Sequence, residues 1–181
     1  AAADQGRGVH AFIVPTEDPH MSEYSPDSFK RREWVSRFTG TAGTAVILHD
    51  KALLWTDGRY FLQASQELGK EWTLMRAGTP GCPDIEEWLA ANLPASARVG
   101  IDPYVHTVDM TRRLSKRMQE SGKQVVALSE DNLVDKAWGS NRPAAPSAKL
   151  RVHPMKVWQI LGVSKTDITN ASSAALHLRI P

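Results

Sequence analysis

Two stretches of this chain carry residue types that could do chemistry. Between Glu17 and Glu23, the side chains of Glu17, Asp18, His20 and Glu23 crowd into a polar run interrupted by Pro19. Carboxylate oxygens and an imidazole suit a divalent metal, but their spacing fits no standard ligand set. The bland reading is a polar loop whose acids and histidine cap or hydrogen-bond the following turn. The second stretch is Phe38–Tyr60, FTGTAGTAVILHDKALLWTDGRY. Its segment Thr39-Gly40-Thr41-Ala42-Gly43-Thr44 could cradle a phosphate, yet GxxxxGK[ST] and GxGxxG are both absent and a tight packed turn is the simpler reading. Arg59 and Tyr60 follow at a strand-to-helix corner, where α/β folds display functional groups. No serine lies in a GxSxG elbow, and Cys82 sits in a Gly/Pro loop with no base beside it. The sequon Asn170-Ala171-Ser172 is too common a pattern to carry weight. The sequence assembles no catalytic set of its own.

The elements that must position these residues follow from periodicity. Thr44–Leu48 and Ala52–Trp55 are short apolar runs joined by His49-Asp50-Lys51, which predicts a β-hairpin. Gly40 and Gly43 before it let the backbone turn sharply. After it, Asp57 supplies a capping oxygen for a helix over Arg59–Leu68 that packs Phe61, Leu62 and Ala64 and ends at Gly69. Tyr60 is expected to turn its ring inward and hydrogen-bond through its hydroxyl. Upstream, His10–Val14 reads as a strand stopped by Pro15. Ser25 and Pro26 open a helix that carries Phe29, Trp34, Val35 and Phe38 inward and Lys30, Arg31, Arg32 and Glu33 outward until Gly40. Downstream come a strand at Trp72–Met75 and a loop over Ala77–Pro83. A helix capped by Asp84 follows, then a strand at Arg98–Ile101, a basic helix opened by Thr107 or Asp109, and a strand at Gln124–Leu128. Strands alternating with helices predict an α/β layer sandwich: a mixed, mostly parallel sheet with helices on both faces.

At 181 residues the chain is one ordinary domain with a tail. Such a domain buries enough surface to need no disulfide or metal staple. Lys and Arg together number 22 against 20 Asp and Glu, so nothing pushes it towards nucleic acid or an anionic membrane. One cysteine forms no internal disulfide, which fits a reducing compartment. No apolar run is long enough to span a membrane. The first residues lack a signal core and read as the cut end of something longer. Domain 1–139 is followed by a Pro-rich linker over 140–154 and a divergent, Ser/Thr/Asn-rich tail over 155–181, on which no structure is forced.

Taken in order, HAFIVPTEDPHMSEY, KRREWVSRFTGTAGTAVIL, LLWTDGRYFLQASQEL, WTLMRAG, RVGIDP and NLVDKAWGSNRP resemble the N-terminal domain of the eukaryotic three-domain aminopeptidase P. These are Xaa-Pro aminopeptidases of the creatinase/prolidase superfamily. The resemblance covers about His10 to Pro154 and implies a creatinase-type N-terminal domain, in agreement with the pattern reading. Met155–Pro181 follows no family pattern, as a truncated product or an alternative reading of the gene would.

The resemblance implies a parent that releases the N-terminal residue from peptides whose second residue is proline. A pair of divalent metals, usually manganese, activates the attacking water. The ligands (two Asp, one His and two Glu) belong to a later catalytic domain, which together with a middle domain lies outside this chain. The chain is therefore expected to hold no catalytic residue and no metal, and to be inactive alone. It would help to shape the active-site entrance and support subunit association. Its expected partners are the remaining domains or a homodimer partner, with proline-containing peptides as substrates of the intact enzyme and the cytoplasm as its place. Arg59, Tyr60 and His20 are the entrance candidates. Arg59 either pairs with Asp57 or an acid of the His20 loop, or reaches towards a catalytic domain of its own or a neighbouring subunit. The alternative reading is a stand-alone isoform that acts as a binding or assembly module.

Overall fold

Short, nearly continuous apolar runs separated by Gly, Asp and Pro turns set the strands. The computed structural model describes residues 8–129 and 132–148. In chain order the elements are β1 (Ala11–Pro15), a 3-10 turn (Asp27–Phe29), α1 (Arg31–Ser36), β2 (Thr44–Leu48), β3 (Ala52–Thr56) and α2 (Phe61–Glu67). Then come β4 (Trp72–Arg76), α3 (Ile85–Asn92), β5 (Arg98–Ile101), α4 (Val108–Glu120), β6 (Gln124–Ala127) and α5 (Leu133–Trp138). One sheet runs β4-β3-β2-β1-β5-β6. The pairs β1/β5, β3/β4 and β5/β6 are parallel, while β1/β2 and β2/β3 are antiparallel. The mixed, mostly parallel sheet read from the sequence is thus present.

β1 lies in the middle and is buried along its whole length, as an uninterrupted apolar run in a doubly covered sheet must be. Its residues alternate between two cores. Ala11 and Ile13 join Val46, Leu53, Trp55, Val99 and Ile101 under α3 and α4, which add Leu89, Leu114 and Met118. Phe12 and Val14 join Ala45 and Leu54 on the opposite face, where α2 and α5 add Ala64, Val134 and Trp138. Helices therefore cover both faces. Each fully buried Leu, Val or Phe contributes about 1.5–3 kcal/mol relative to exposure, and the two faces share the sheet as a common wall.

The helix expected from Ser25 to Gly40 is different. It breaks at Lys30 into the 3-10 turn and the six-residue α1, and Arg37 closes α1 in the left-handed region at φ 62°. Phe38 is buried and Val35 packs on the core as expected, but three residues turn the other way. Arg31 and Arg32 are buried, while Trp34 is 40% exposed and lies flat on Trp138 with ring centroids 5.2 Å apart. The outward rule for charges fails because both guanidiniums find oxygens inside the fold. Arg31 meets Asp135, and Arg32 meets the carbonyls of Phe38 and Gly40. A buried, hydrogen-bonded arginine is tolerated where an unpaired one is not.

Smaller departures have similar causes. α2 starts at Phe61 rather than Arg59, and Leu62 is 73% exposed, so Ala64 carries the helix packing. Asp84 precedes α3 without a side-chain capping bond. Thr107 and Asn132 do cap α4 and α5 through their side chains. Lys123 is 6% exposed and donates to Ala90 O and Ser121 O, joining the C-terminal ends of α3 and α4. The compact unit runs through Pro146. The tail expected over 155–181 and residues 149–154 of the linker lie outside the described residues.

Candidate functional site

The corner after β3 is built by hydroxyl groups and glycines. Thr56 Oγ1 donates to Ala42 O at 2.6 Å, and Thr16 Oγ1 donates to Gly43 O at 2.7 Å. These bonds fold the Thr39–Thr44 segment against the end of the sheet. At Gly40 an added Cβ would stand 2.3 Å from Phe38 Cζ and 2.8 Å from Tyr60 Cδ1. Only glycine fits there. The carbonyls of Phe38, Gly40, Ala42 and Gly43 all accept side-chain hydrogen bonds, which makes the segment a packed turn.

Arg32 organises that turn from below. Its guanidinium donates to Thr16 Oγ1 at 3.0 Å, to Phe38 O at 2.9 Å and to Gly40 O, and it lies 4.8 Å from the Phe38 ring centroid. Burial pulls its pKa down to about 10, against the more distant charges of Glu33, Glu17 and Glu67. On the outer side, Glu67 of α2 accepts from Thr39 N at 2.7 Å and Thr39 Oγ1 at 2.8 Å. Burial works to raise the Glu67 carboxyl, but these bonds and that from Gln63 outweigh it and hold it below the usual carboxylate range.

Asp57 and Arg59 form a local pair. Asp57 Oδ1 accepts from Arg59 N at 3.0 Å and Nε at 2.9 Å, and Oδ2 accepts from the terminal nitrogen at 2.8 Å. The Arg59 side chain hydrogen bond lowers the Asp57 carboxyl, and Asp57 in turn raises the guanidinium. Asp57 therefore caps the turn that presents Arg59 rather than the helix after it. The Arg59 side chain stays 68% exposed, with its guanidinium 5.2 Å from the Tyr60 ring centroid. Tyr60 packs edge-on against Phe38 at 5.9 Å, and its hydroxyl shares a 2.6 Å hydrogen bond with Thr41 Oγ1. Half-buried ring and bonded hydroxyl match the expectation from the sequence.

His20 sits in a loop closed by Asp18, which is 1% exposed. Asp18 Oδ1 accepts from His20 N at 2.9 Å and Ser22 N at 3.0 Å. Burial acts to raise this carboxyl, and the hydrogen bonds from Ser22 and His20 overcome it, so its net shift is downward. The His20 ring itself is exposed, and no hydrogen bond or ion pair in the described residues joins it to Arg59 or Tyr60. Among the described residues no three His, Cys, Asp or Glu side chains converge as a metal site. The donors present do not fit a two-metal centre.

The His20 loop and the turn do meet through Thr16 and Arg32. Between them opens a cleft of about 210 Å³, lined by Tyr24, Arg32, Thr39 and Thr41 among others. Sequence reasoning missed Arg32, Tyr24 and Glu67 as parts of this site. One signal was available: a charged residue about two turns before a glycine-rich segment can reach the carbonyls that the glycines leave open.

Residues 3–136 match the Creatinase/Prolidase N-terminal domain family. Aminopeptidase P2 of Arabidopsis thaliana is 46% identical over 154 residues, which are 85% of this chain and 22% of that protein. A probable Xaa-Pro aminopeptidase P of Penicillium rubens is 45% identical over 152 residues, 84% of this chain and 25% of its own length. Among solved structures, an X-prolyl aminopeptidase of Caenorhabditis elegans superposes with a TM-score of 0.73 at 36% identity. That match covers 78% of this chain and 23% of the other, which is described as a cytosolic enzyme with a di-nuclear active site. The chain thus spans about a quarter or less of each of these three relatives. With its sheet order, its two-faced helix cover and this continuous match, the chain belongs to the Creatinase/Prolidase N-terminal domain family.

Proposed function

We propose that this chain serves as the non-catalytic N-terminal domain of an Xaa-Pro aminopeptidase, an enzyme that removes the N-terminal residue from a peptide whose second residue is proline. The observation that carries the reading is the 46% identity over 154 residues to a full-length aminopeptidase P, supported by the fold match to the X-prolyl aminopeptidase. The metal pair, two manganese ions, would be held by a catalytic domain outside these residues. This domain would contribute shape at the substrate entrance and a surface for association with the remaining domains or a second subunit, in the cytoplasm.

In this reading Arg59, Tyr60 and His20 are its entrance residues, with Arg59 the strongest. Asp57 fixes the Arg59 fork in one orientation while leaving most of the side chain in solvent. A guanidinium presented in this way is set to take a carboxylate or a carbonyl of a partner in a defined plane. Tyr60 backs it, and His20 stands on the neighbouring loop.

The reading is tested by giving the purified chain manganese and a proline-second tripeptide. No turnover and no retained manganese are expected. Turnover that survives repurification would overturn the non-catalytic assignment.

A further inference from the structure

Arg32 is 4% exposed, yet it lines an open cleft together with Glu23, Tyr24, Lys30, Glu33 and Thr41. A guanidinium has five N–H donors. Three of them go to uncharged oxygens: Thr16 Oγ1, Phe38 O and Gly40 O. The other two, one on each terminal nitrogen, have no acceptor among the described residues. No carboxylate there lies within ion-pair distance of Arg32, and its neighbour Lys30 is already held by Asp27 at 2.7 Å. Buried charges are as a rule paired with an opposite charge. Here a cation stands in the wall of a cleft with neutral partners and spare donors.

The remaining lining decides what could satisfy it. Glu23 and Glu33 place negative charge in the same cleft, so a simple anion would be attracted by Arg32 and repelled by its surroundings. A ligand with both charges is suited to all three. Tyr24, 78% exposed, offers an aromatic wall, and Ser25, Thr39 and Thr41 offer hydroxyls. At about 210 Å³ the cleft is below the ~300–1,000 Å³ of sites for drug-sized ligands. That sets the ligand near the size of an amino acid or dipeptide.

We propose that this cleft binds a small zwitterionic peptide or amino acid, its carboxylate on the spare Arg32 donors and its ammonium between Glu23 and Glu33. The cleft adjoins the Arg59 corner through Thr41, which bonds the Tyr60 hydroxyl, but its binding does not rest on the peptidase reading, since it is measured on the chain alone without turnover.

The test is a titration of the ¹⁵N-labelled 181-residue chain with Ala-Ala to about 10 mM, past half-saturation for a millimolar site. Saturable shifts are expected at the amides of Tyr24, Thr39, Gly40 and Thr41 and at Arg32 Nε–H. Ala-Ala amide and N-acetyl-Ala-Ala should each bind at least about tenfold more weakly, because each loses one charge-assisted contact. Tyr24→Ala and Glu33→Gln, both away from the core, should weaken Ala-Ala binding severalfold while the rest of the spectrum stays in place. Absence of saturable shifts would overturn the proposal, and so would equal affinity for the amide or for acetate.

Discussion

Arg31 and Asp135 meet through two parallel hydrogen bonds of 2.7 and 2.8 Å although 104 positions separate them in the chain. Around this pair the charges interlock. Arg142 reaches the second Asp135 oxygen at 2.7 Å and Ser28 O at 2.8 Å. Asp102 Oδ2 lies 3.8 Å from Arg31 and accepts from Asn132 at 2.7 Å. The Phe29 ring faces both guanidiniums, at 5.2 and 5.5 Å. One network therefore fastens α1, the end of β5, α5 and the first residues after α5 to each other.

Replacing Asp135 by alanine should accordingly be among the most damaging polar changes in the chain. It leaves the Arg31 side chain, 8% exposed, as a buried charge with Asp102 as its nearest acid. Breaking a buried pair from one side costs about 3 kcal/mol or more. Urea unfolding should show a loss of that size with an unchanged m-value. A loss under about 1 kcal/mol would mean that the network is solvated.

Gly40→Ala and Gly58→Ala make a matched test of the turn. The first pushes a methyl into the Phe38 and Tyr60 rings, whereas at Gly58 the nearest atom is 3.9 Å away. Overpacking costs about 1–3 kcal/mol, so thermal unfolding should fall by several degrees for Gly40→Ala alone. Equal effects of the two changes would show that the turn is loose.

The strands and most helices were legible because hydrophobic period and turn chemistry are local. Arg98–Ile101 and the hairpin strands fall where the pattern places them. α1 was legible only in part: Arg32 turns in to carbonyls six and eight positions on, whereas Arg31 turns in to a carboxylate 104 positions away. Nothing around Lys30-Arg31-Arg32-Glu33 announces Asp135, and nothing in Trp34 announces the Trp138 ring that shields it. The corner was half legible. Asp57, Arg59 and Tyr60 could be named from a strand-to-helix junction, but the Arg32 cleft needed the fold to bring Thr16 and Gly43 together.

His106 gives a pH dependence with a definite sign. It is 8% exposed, its Nδ1 is 2.8 Å from Asp102 O, and its Nε2 has no partner among the described residues. Burial lowers its pKa, against the hydrogen bond to Asp102 O and the charges of Asp102 and Glu17. The unfolded chain therefore takes up the proton first. Stability should begin to fall as pH drops through about 6.5 and go on falling to the folded-state value. The lowered carboxyls of Asp18 and Glu67 act in the same direction but in a more acid window, their contribution being lost as pH falls through their folded values. His106→Gln should flatten the unfolding profile just below about pH 6.5. A variant profile that still declines there like the wild type would remove His106 from the account.

Arg59→Lys separates fork geometry from charge. In this chain the pair with Asp57 is exposed, so the melting temperature should hardly move. In the intact enzyme the same change should lower kcat/KM by about tenfold, the loss of one oriented contact. A large drop in melting temperature with unchanged kinetics per folded molecule would make Arg59 a structural residue only.

The most direct measurement replaces the matching stretch of the Arabidopsis thaliana aminopeptidase P2 with residues 8–148 of this chain and follows hydrolysis of a proline-second tripeptide. If this chain is the N-terminal domain of such an enzyme, the chimera should fold, load metal as its parent does, and keep kcat/KM within about tenfold. A folded, metal-loaded chimera that releases no N-terminal residue would contradict it.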